Sequence, residues 1–184
     1  MNFWNRPSAL ALCVLAGCQS SPRPVFREVE QDDRQRLNHG YALLHQLLTD
    51  EGDAEKIFIL KEASERTRSI VRVISAVSRE ARERLEALAA EDPALKLGWS
   101  SLPEVEFETR KSIGNATAKK LLFGPGFEVR FVNSQAKAVQ YAEHLARTLA
   151  VLDPAEKRKA WLLKLASIYE RLEYKILDRL DVRK

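Results

Sequence analysis

Residues 54–91 read AEKIFILKEASERTRSIVRVISAVSREARERLEALAAE, and this stretch decides the fold class. Its apolar and small side chains recur at steps of three and four residues, the period of one face of an α-helix. This period predicts a single helix over residues 54–91, roughly 57 Å long. A helix of that length needs partner helices along most of its face, because an isolated helix gains little stability from propensity alone. The residues predicted to face inward are Leu60, Ala63, Thr67, Ile70, Ile74, Val77, Ala81 and Leu88, with Arg84 at the intervening position.

The same period recurs in four further segments, at residues 25–49, 102–123, 127–152 and 154–181. Proline and glycine, which interrupt helices, separate these segments from one another. Their predicted inward residues are Leu37, Tyr41, Leu44 and Leu48; then Ile113, Thr117 and Leu121; then Phe131, Ala138, Ala142, Leu145, Leu149 and Leu152; and finally Trp161, Leu165, Ile168, Leu172, Ile176 and Leu180.

No segment shows the alternation of a strand, so we expect an all-α, antiparallel bundle of four to five helices in one domain, residues 25–184. The Gly124-Pro125-Gly126 break leaves two topologies open. If the chain reverses there, residues 102–123 and 127–152 form a hairpin and the bundle has five helices. If the chain only bends, the two segments form one kinked column and the bundle has four helices.

Composition excludes several other classes of protein. Of 184 residues, 45% are hydrophobic and 30% are charged. Seven Gly and seven Pro are too few for collagen or low-complexity disorder, and two Cys are too few for a disulfide scaffold. Basic and acidic residues are interspersed at a net charge of +4, and no basic run carries aromatic residues. We therefore expect no nucleic-acid partner.

Residues 1–17 have the composition of a secretory signal, with Arg6 as the only charge and an apolar run too short to span a membrane. The segment leads into Leu15-Ala16-Gly17-Cys18, which resembles the lipobox of bacterial lipoproteins. That resemblance implies cleavage before Cys18 and acylation of this residue, which would hold the protein in the lipid bilayer. Gln19 after the cysteine implies sorting to the outer membrane, on the periplasmic side. Residues 18–24 would then form a short tether.

The sequence carries no recognisable catalytic or metal-binding motif. His39 and His45 are six residues apart, whereas metal pairs on a helix use spacings of three or four. His144 lacks the Glu three residues earlier that di-iron bundles use. No nucleophile elbow and no phosphate-binding glycine loop occurs. We expect no metal and no other cofactor, and the sequence favours a non-catalytic protein.

Four polar residues interrupt the predicted core. Extending the inward face of residues 127–152 backwards from Ala138 reaches Gln135 and Glu128, and Thr67 and Arg84 hold inward positions of residues 54–91. This candidate polar core layer has two interpretations. It could form a pocket for a small ligand or hold a general acid. Alternatively, Glu128 suits the first turn of its helix, where an acid interacts favourably with the helix dipole, and Gln135 forms an internal hydrogen-bonded layer.

These observations lead to an expected function, a non-catalytic interaction or assembly module of the cell envelope that binds an envelope protein. The alternatives are a small-ligand-binding bundle built on Glu128 and Gln135, and an envelope enzyme whose carboxylates the sequence does not locate. An apolar groove between helices would favour the first function and a closed polar cavity the second. Two acids about 5 to 9 Å apart in an open cleft would favour an enzyme.

Overall fold

The computed structural model describes the backbone of residues 25–181 and the side chains of residues 32–178. Two short 3₁₀ helices, Ala54–Ile59 and Trp99–Ser101, lie in the connections between the longer helices. No strand occurs in this part of the chain, and the helices pack as a bundle, so the predicted all-α class is confirmed. The five α-helices are α1 (Val25–Gly52), α2 (Glu65–Glu91), α3 (Glu104–Phe123), α4 (Phe127–Leu152) and α5 (Glu156–Asp181).

Helices α1, α2, α4 and α5 enclose the main hydrophobic core, and α4 and α5 pack together most extensively. Gly40 allows α1 to approach α4 closely, because a Cβ atom at this position would lie 2.5 Å from Cδ2 of Leu149. The predicted inward residues of α1 are all buried, which confirms that part of the pattern. Fully buried side chains come from all four helices and include Tyr41, Leu44, Leu48, Ile74, Leu85, Val139, Leu149, Leu162, Tyr169 and Ile176.

The prediction of one helix over residues 54–91 is wrong. A 3₁₀ helix ends at Ile59, and α2 begins only at Glu65, with the Ser64 side chain accepting a hydrogen bond from the Thr67 backbone N–H. The Ser64 hydroxyl accepts from a backbone N–H that, in a continuous helix, would bond to a backbone carbonyl. Ser64 therefore caps the start of a new helix. As a result Leu60, predicted to face inward, is 70% exposed.

The chain reverses at Gly124-Pro125-Gly126, so the five-helix topology is the one observed. Gly126 has φ 66°, a left-handed conformation that glycine adopts without strain. The Arg110 guanidinium on α3 donates to the Tyr141 hydroxyl on α4, at a distance of 2.6 Å. Arg110 lies well before the turn in the sequence and Tyr141 well after it. Their contact shows that α3 and α4 run antiparallel as a hairpin.

Helix α3 is attached to the bundle much more loosely than the other helices. Leu121 is its one buried residue, and Thr117 is half-buried. Ile113, predicted to face inward, is 60% exposed, so that prediction is wrong. Charged side chains occur on every face of α3, so this helix has no continuous apolar stripe to bury against a partner.

Two further inward predictions are wrong. Arg84 is exposed, and Leu85 beside it is fully buried, because the buried face of α2 advances by four residues after Ala81 rather than by three. Leu152 is 52% exposed at the last position of α4, where the chain turns into α5. The side chain of Leu180 lies outside the described residues.

Candidate functional site

An apolar groove lies between α1, α3 and α4, and it exists because α3 packs so loosely. Its volume is about 730 Å³. Because α3 brings apolar side chains to the groove without burying them, several hydrophobic residues remain in contact with solvent here. The apolar side chains that line the groove are Leu47 of α1, Trp99 of the preceding 3₁₀ helix, Phe107 and Ile113 of α3, and Tyr141 of α4.

Aromatic and cationic groups order the wall of the apolar groove. The rings of Trp99 and Phe107 meet edge to face with their centres 5.0 Å apart. The Arg110 guanidinium lies 5.2 Å from the centre of the Tyr141 ring and donates to Glu106 Oε1 at 2.6 Å. Edge-to-face and cation–π contacts of this kind fix the positions of large side chains. The groove therefore has a defined shape, even though α3 is attached loosely to the bundle.

Charges of both signs surround the apolar floor. Arg110 and Lys111 are basic, and Asp50 and Glu106 are acidic. Burial raises the pKa of Asp50 above its ordinary value, and the hydrogen bond from the Gln46 amide, at 2.7 Å, opposes this rise. A groove with an apolar floor and a rim of mixed charge can bind an amphipathic surface and fix its orientation through the rim.

The structure places Glu128 against the start of α2. Its carboxylate accepts hydrogen bonds from the hydroxyls of Ser64 and Thr67, so it joins the first turn of α4 to the first turn of α2. Thr67 is buried, at 4% exposure, as predicted. An acid in this position satisfies the polar groups at a helix N-terminus and interacts favourably with the helix dipole.

Gln135 is buried too, but it contacts a different acid. Its amide lies beside Glu51, the next-to-last residue of α1, which is only 8% exposed. Two oxygens at this point, Glu51 Oε2 and Gln135 Oε1, have no hydrogen-bond partner among the described residues. The structure thus separates Glu128 from Gln135, and it places Arg84 at the surface rather than with either of them.

Burial raises the pKa of Glu51 to about 8; the nearby Asp50 adds to this rise, and Gln135 opposes it. Near neutral pH the neutral acid therefore predominates and has a hydroxyl to donate. Residues of α2 and α5 complete this buried polar cluster. The Ser75 hydroxyl donates to the Glu51 carbonyl at 2.8 Å, and the hydroxyls of Ser78 and Tyr169 are 2.7 Å apart.

A second buried polar cluster lies at the opposite end of the bundle. The Tyr41 hydroxyl donates to Asp153, and the Arg158 guanidinium donates to both Asp153 oxygens, at 2.7 and 2.9 Å. Arg158 also reaches Asp92 at 2.7 Å. Burial acts to raise the pKa of Asp153, but the hydrogen bonds from Arg158 and Tyr41 have the larger combined effect. The pKa of Asp153 therefore lies below its ordinary value.

Asp153 accepts a hydrogen bond from the Ala155 N–H just before α5, at 2.7 Å, and with Arg158 it also ties α1 and the end of α2 to the turn between α4 and α5. Arg158 and Tyr41 carried no sequence signal for this role. Within the described residues no group of three or more His, Cys, Asp or Glu side chains could hold a metal ion.

None of the described helices is long and apolar enough to cross a membrane. Cys18, the predicted site of lipidation, lies outside the described residues. No family model, no curated protein and no solved structure matches this chain.

Proposed function

We propose that the protein is a lipoprotein of the bacterial cell envelope whose helical bundle binds a partner protein in the apolar groove. Acylated Cys18 would anchor it in the outer membrane, on the periplasmic side, and the bundle would have no catalytic role. The Leu15-Ala16-Gly17-Cys18 sequence and Gln19 support the anchor. The groove between α1, α3 and α4 is the observation that carries the binding function.

The shape and chemistry of the groove favour an amphipathic helix of the partner as its occupant. Three helices border the groove, and Phe107 and Ile113 offer an aromatic ring and a branched aliphatic chain to an apolar face. The rim residues Asp50 and Lys111 can then meet opposite charges on the polar side of that helix. Docking of an amphipathic helix into such a groove is a recurring mode of peptide recognition.

The contacts of Glu128 favour this function over a ligand-binding layer. A ligand pocket would need Glu128 and Gln135 to face one cavity. Instead, Glu128 bonds to Ser64 and Thr67, and Gln135 lies beside Glu51. The carboxylate of Glu128 is thus used in joining α4 to α2, which is a structural role.

The anchor is tested by the intact mass of protein extracted from membranes. We expect residues 1–17 to be absent and Cys18 to carry acyl chains, and we expect Cys18→Ala to release the protein from the membrane. An unacylated protein that is recovered without detergent would contradict the anchor, and it would leave the groove to be tested separately.

The groove is tested by crosslinking in the native envelope. A photoreactive amino acid at position 113 should give one defined protein adduct, because Ile113 is 60% exposed within the groove. Position 73 on α2 is the matched control, because Val73 is 45% exposed and does not line the groove. The same adducts from both positions, or none from position 113, would contradict partner binding at the groove.

A further inference from the structure

Positive charge is concentrated around the α3–α4 turn. Residues 117–137 contain the basic residues Lys119, Lys120, Arg130 and Lys137 and one acid, Glu128, a formal charge of +3 (4 − 1). The whole chain of 184 residues carries only +4. This segment of 21 residues therefore holds most of the net positive charge of the chain. Basic and acidic residues are interspersed along the rest of the sequence.

Three of these cations line one groove, which we call the basic groove. It lies between α3 and α4 and has a volume of about 430 Å³. No acidic side chain lines it among the described residues, because the Glu128 carboxylate is bonded to Ser64 and Thr67 at the start of α2. The polar residues that line the basic groove are Thr117, Lys120, Arg130, Asn133, Ser134 and Lys137.

Several cations elsewhere in the described part of the chain pair with carboxylates, whereas those of the basic groove do not. Arg147 and Arg158 each bond to two carboxylates. In the part of the chain that the structure describes, Lys120, Arg130 and Lys137 pair with none. The Arg130 guanidinium packs over the turn: a Cβ atom at Gly124 would lie 2.5 Å from its Nη1. Glycine at this position therefore leaves room for the Arg130 side chain.

The donors of the basic groove suit a phosphate group. Ser134 donates its hydroxyl to the Phe131 carbonyl at 2.8 Å, so it can only accept from a ligand. The two Lys ammonium groups, the Arg130 guanidinium, the Asn133 amide and the Thr117 hydroxyl remain as donors. Several cationic and neutral donors with no competing carboxylate form the kind of site that binds phosphate oxygens.

Large apolar side chains are exposed at the same end of the bundle. Phe123 is 82% exposed and lies in the chain between Lys120 and Arg130. Ile59 and Leu60 are 83% and 70% exposed. Their chain neighbours pack together in a small hydrophobic cluster that includes Ile57, Phe58, Leu121, Phe127 and Phe131, so the exposed side chains share one end of the molecule.

We infer that this end of the bundle binds a bilayer surface that contains anionic phospholipids. The basic groove receives the headgroup phosphate, and Phe123 enters the boundary between headgroups and acyl chains. Basic residues beside exposed aromatic and aliphatic ones are the chemistry of reversible binding to anionic membranes. A free phosphate ion would use the cations but would leave Phe123 without a role. This binding is independent of acylation at Cys18.

The test compares variants of the full chain, all carrying Cys18→Ser so that no acyl chain contributes. Binding is measured by cosedimentation with vesicles of phosphatidylcholine, with and without phosphatidylglycerol. Each Lys or Arg near an anionic surface strengthens binding about fivefold, so Lys120→Gln, Arg130→Gln and Lys137→Gln together should weaken binding about a hundredfold. The matched control changes three exposed lysines elsewhere, Lys96, Lys164 and Lys175, to Gln and should weaken binding far less.

Phe123→Ser tests the bilayer as the occupant. It should weaken binding to anionic vesicles about tenfold, since the transfer of an aromatic side chain from water is lost. Circular dichroism should show unchanged helix, because Phe123 is exposed. Equal losses in the two triple variants, equal binding to both vesicle types, or no effect of Phe123→Ser would overturn the inference. Calorimetric binding of inorganic phosphate without binding to anionic vesicles would overturn it as well.

Discussion

Helices α2 and α3 make opposite use of their side chains. Of the 27 residues of α2, nine are buried, whereas of the 20 residues of α3 only Leu121 is. Small and apolar side chains recur on one face of α2 at the helical period, but α3 has charges on every face. The consequence is that α2 forms part of the core, whereas α3 borders a groove and leaves apolar side chains in solvent.

Under the proposed function, this difference assigns stability to the helices of the core and partner binding to α3. Substitutions in the helices that enclose the core should change the free energy of unfolding and affect partner binding only through the fold. Substitutions on the exposed side of α3 should change partner binding and leave the free energy of unfolding almost unaltered.

The largest loss is expected for Asp153→Asn. Asp153 is 1% exposed, and its replacement would leave the Arg158 guanidinium, itself mostly buried, without its principal partner. Removing one partner of a buried ion pair lowers the free energy of unfolding by about 3–5 kcal/mol. Urea unfolding of this variant should show that loss. Glu156→Gln, an exposed acid at the start of α5, is the control and should stay within about 0.5 kcal/mol.

Removing a core side chain should have the next largest effect. Ile74 is fully buried, and Ile74→Ala should lower the free energy of unfolding by about 2–5 kcal/mol. The neighbouring Val73 is 45% exposed, so Val73→Ala should cost much less. Equal losses at the two positions in urea unfolding would mean that α2 does not bury the face described above.

The third prediction concerns pH. Burial raises the pKa of Glu51 from its ordinary value of 4.5 to about 8, so between these values the folded state holds a proton that the unfolded state has released. Stability is therefore fully present below about pH 4.5 and falls as the pH rises towards 8, by on the order of 1 kcal/mol per pH unit. Unfolding measured between pH 5 and 8 should show this fall.

Glu51→Gln replaces the titratable carboxyl group with a neutral amide and serves as the control. Its unfolding free energy should lose this dependence over the same pH range, and it should exceed that of the unaltered protein at pH 8. The Asp153 cluster predicts the opposite direction at low pH: because the Asp153 pKa is lowered, its contribution is lost as the pH falls through that value. A stability that rises from pH 5 to 8 in the unaltered protein would contradict the burial of Glu51.

Much of the fold could be predicted from the sequence, because a buried helix face imposes a period of 3.6 residues. That period located Tyr41, Ile74, Leu149 and Ile176, all of which are fully buried. It failed at Ser64, where the spacing continues from Ala63 to Thr67 across the break before α2. A side-chain hydrogen bond to the backbone decides that boundary, and spacing carries no information about it.

The polar sites were predicted less well, because their partners come from distant parts of the chain. The predicted first segment ended at residue 49, yet α1 continues to Gly52 and Glu51 is buried. The missed signal was its position three residues after Leu48, on the inward face. Glu128 was placed correctly in a first helical turn, but its contact with Ser64, 64 residues away, depends on how α2 and α4 pack.

The smallest loss of stability is expected at Ile113, where the comparison between α2 and α3 is tested most directly. Ile113 is 60% exposed on α3, so Ile113→Ser should change the free energy of unfolding by no more than about 0.5 kcal/mol. The same change should abolish capture of the partner by a crosslinker at position 107, six residues earlier on α3, because it removes an apolar contact from the groove floor. Leu121→Ser is the opposite case: Leu121 is buried in the small cluster at the α3–α4 turn, so its loss should destabilise the protein. If Ile113→Ser instead destabilised the protein as strongly as Leu121→Ser, α3 would be part of the core, and the groove would not be the open surface that partner binding requires.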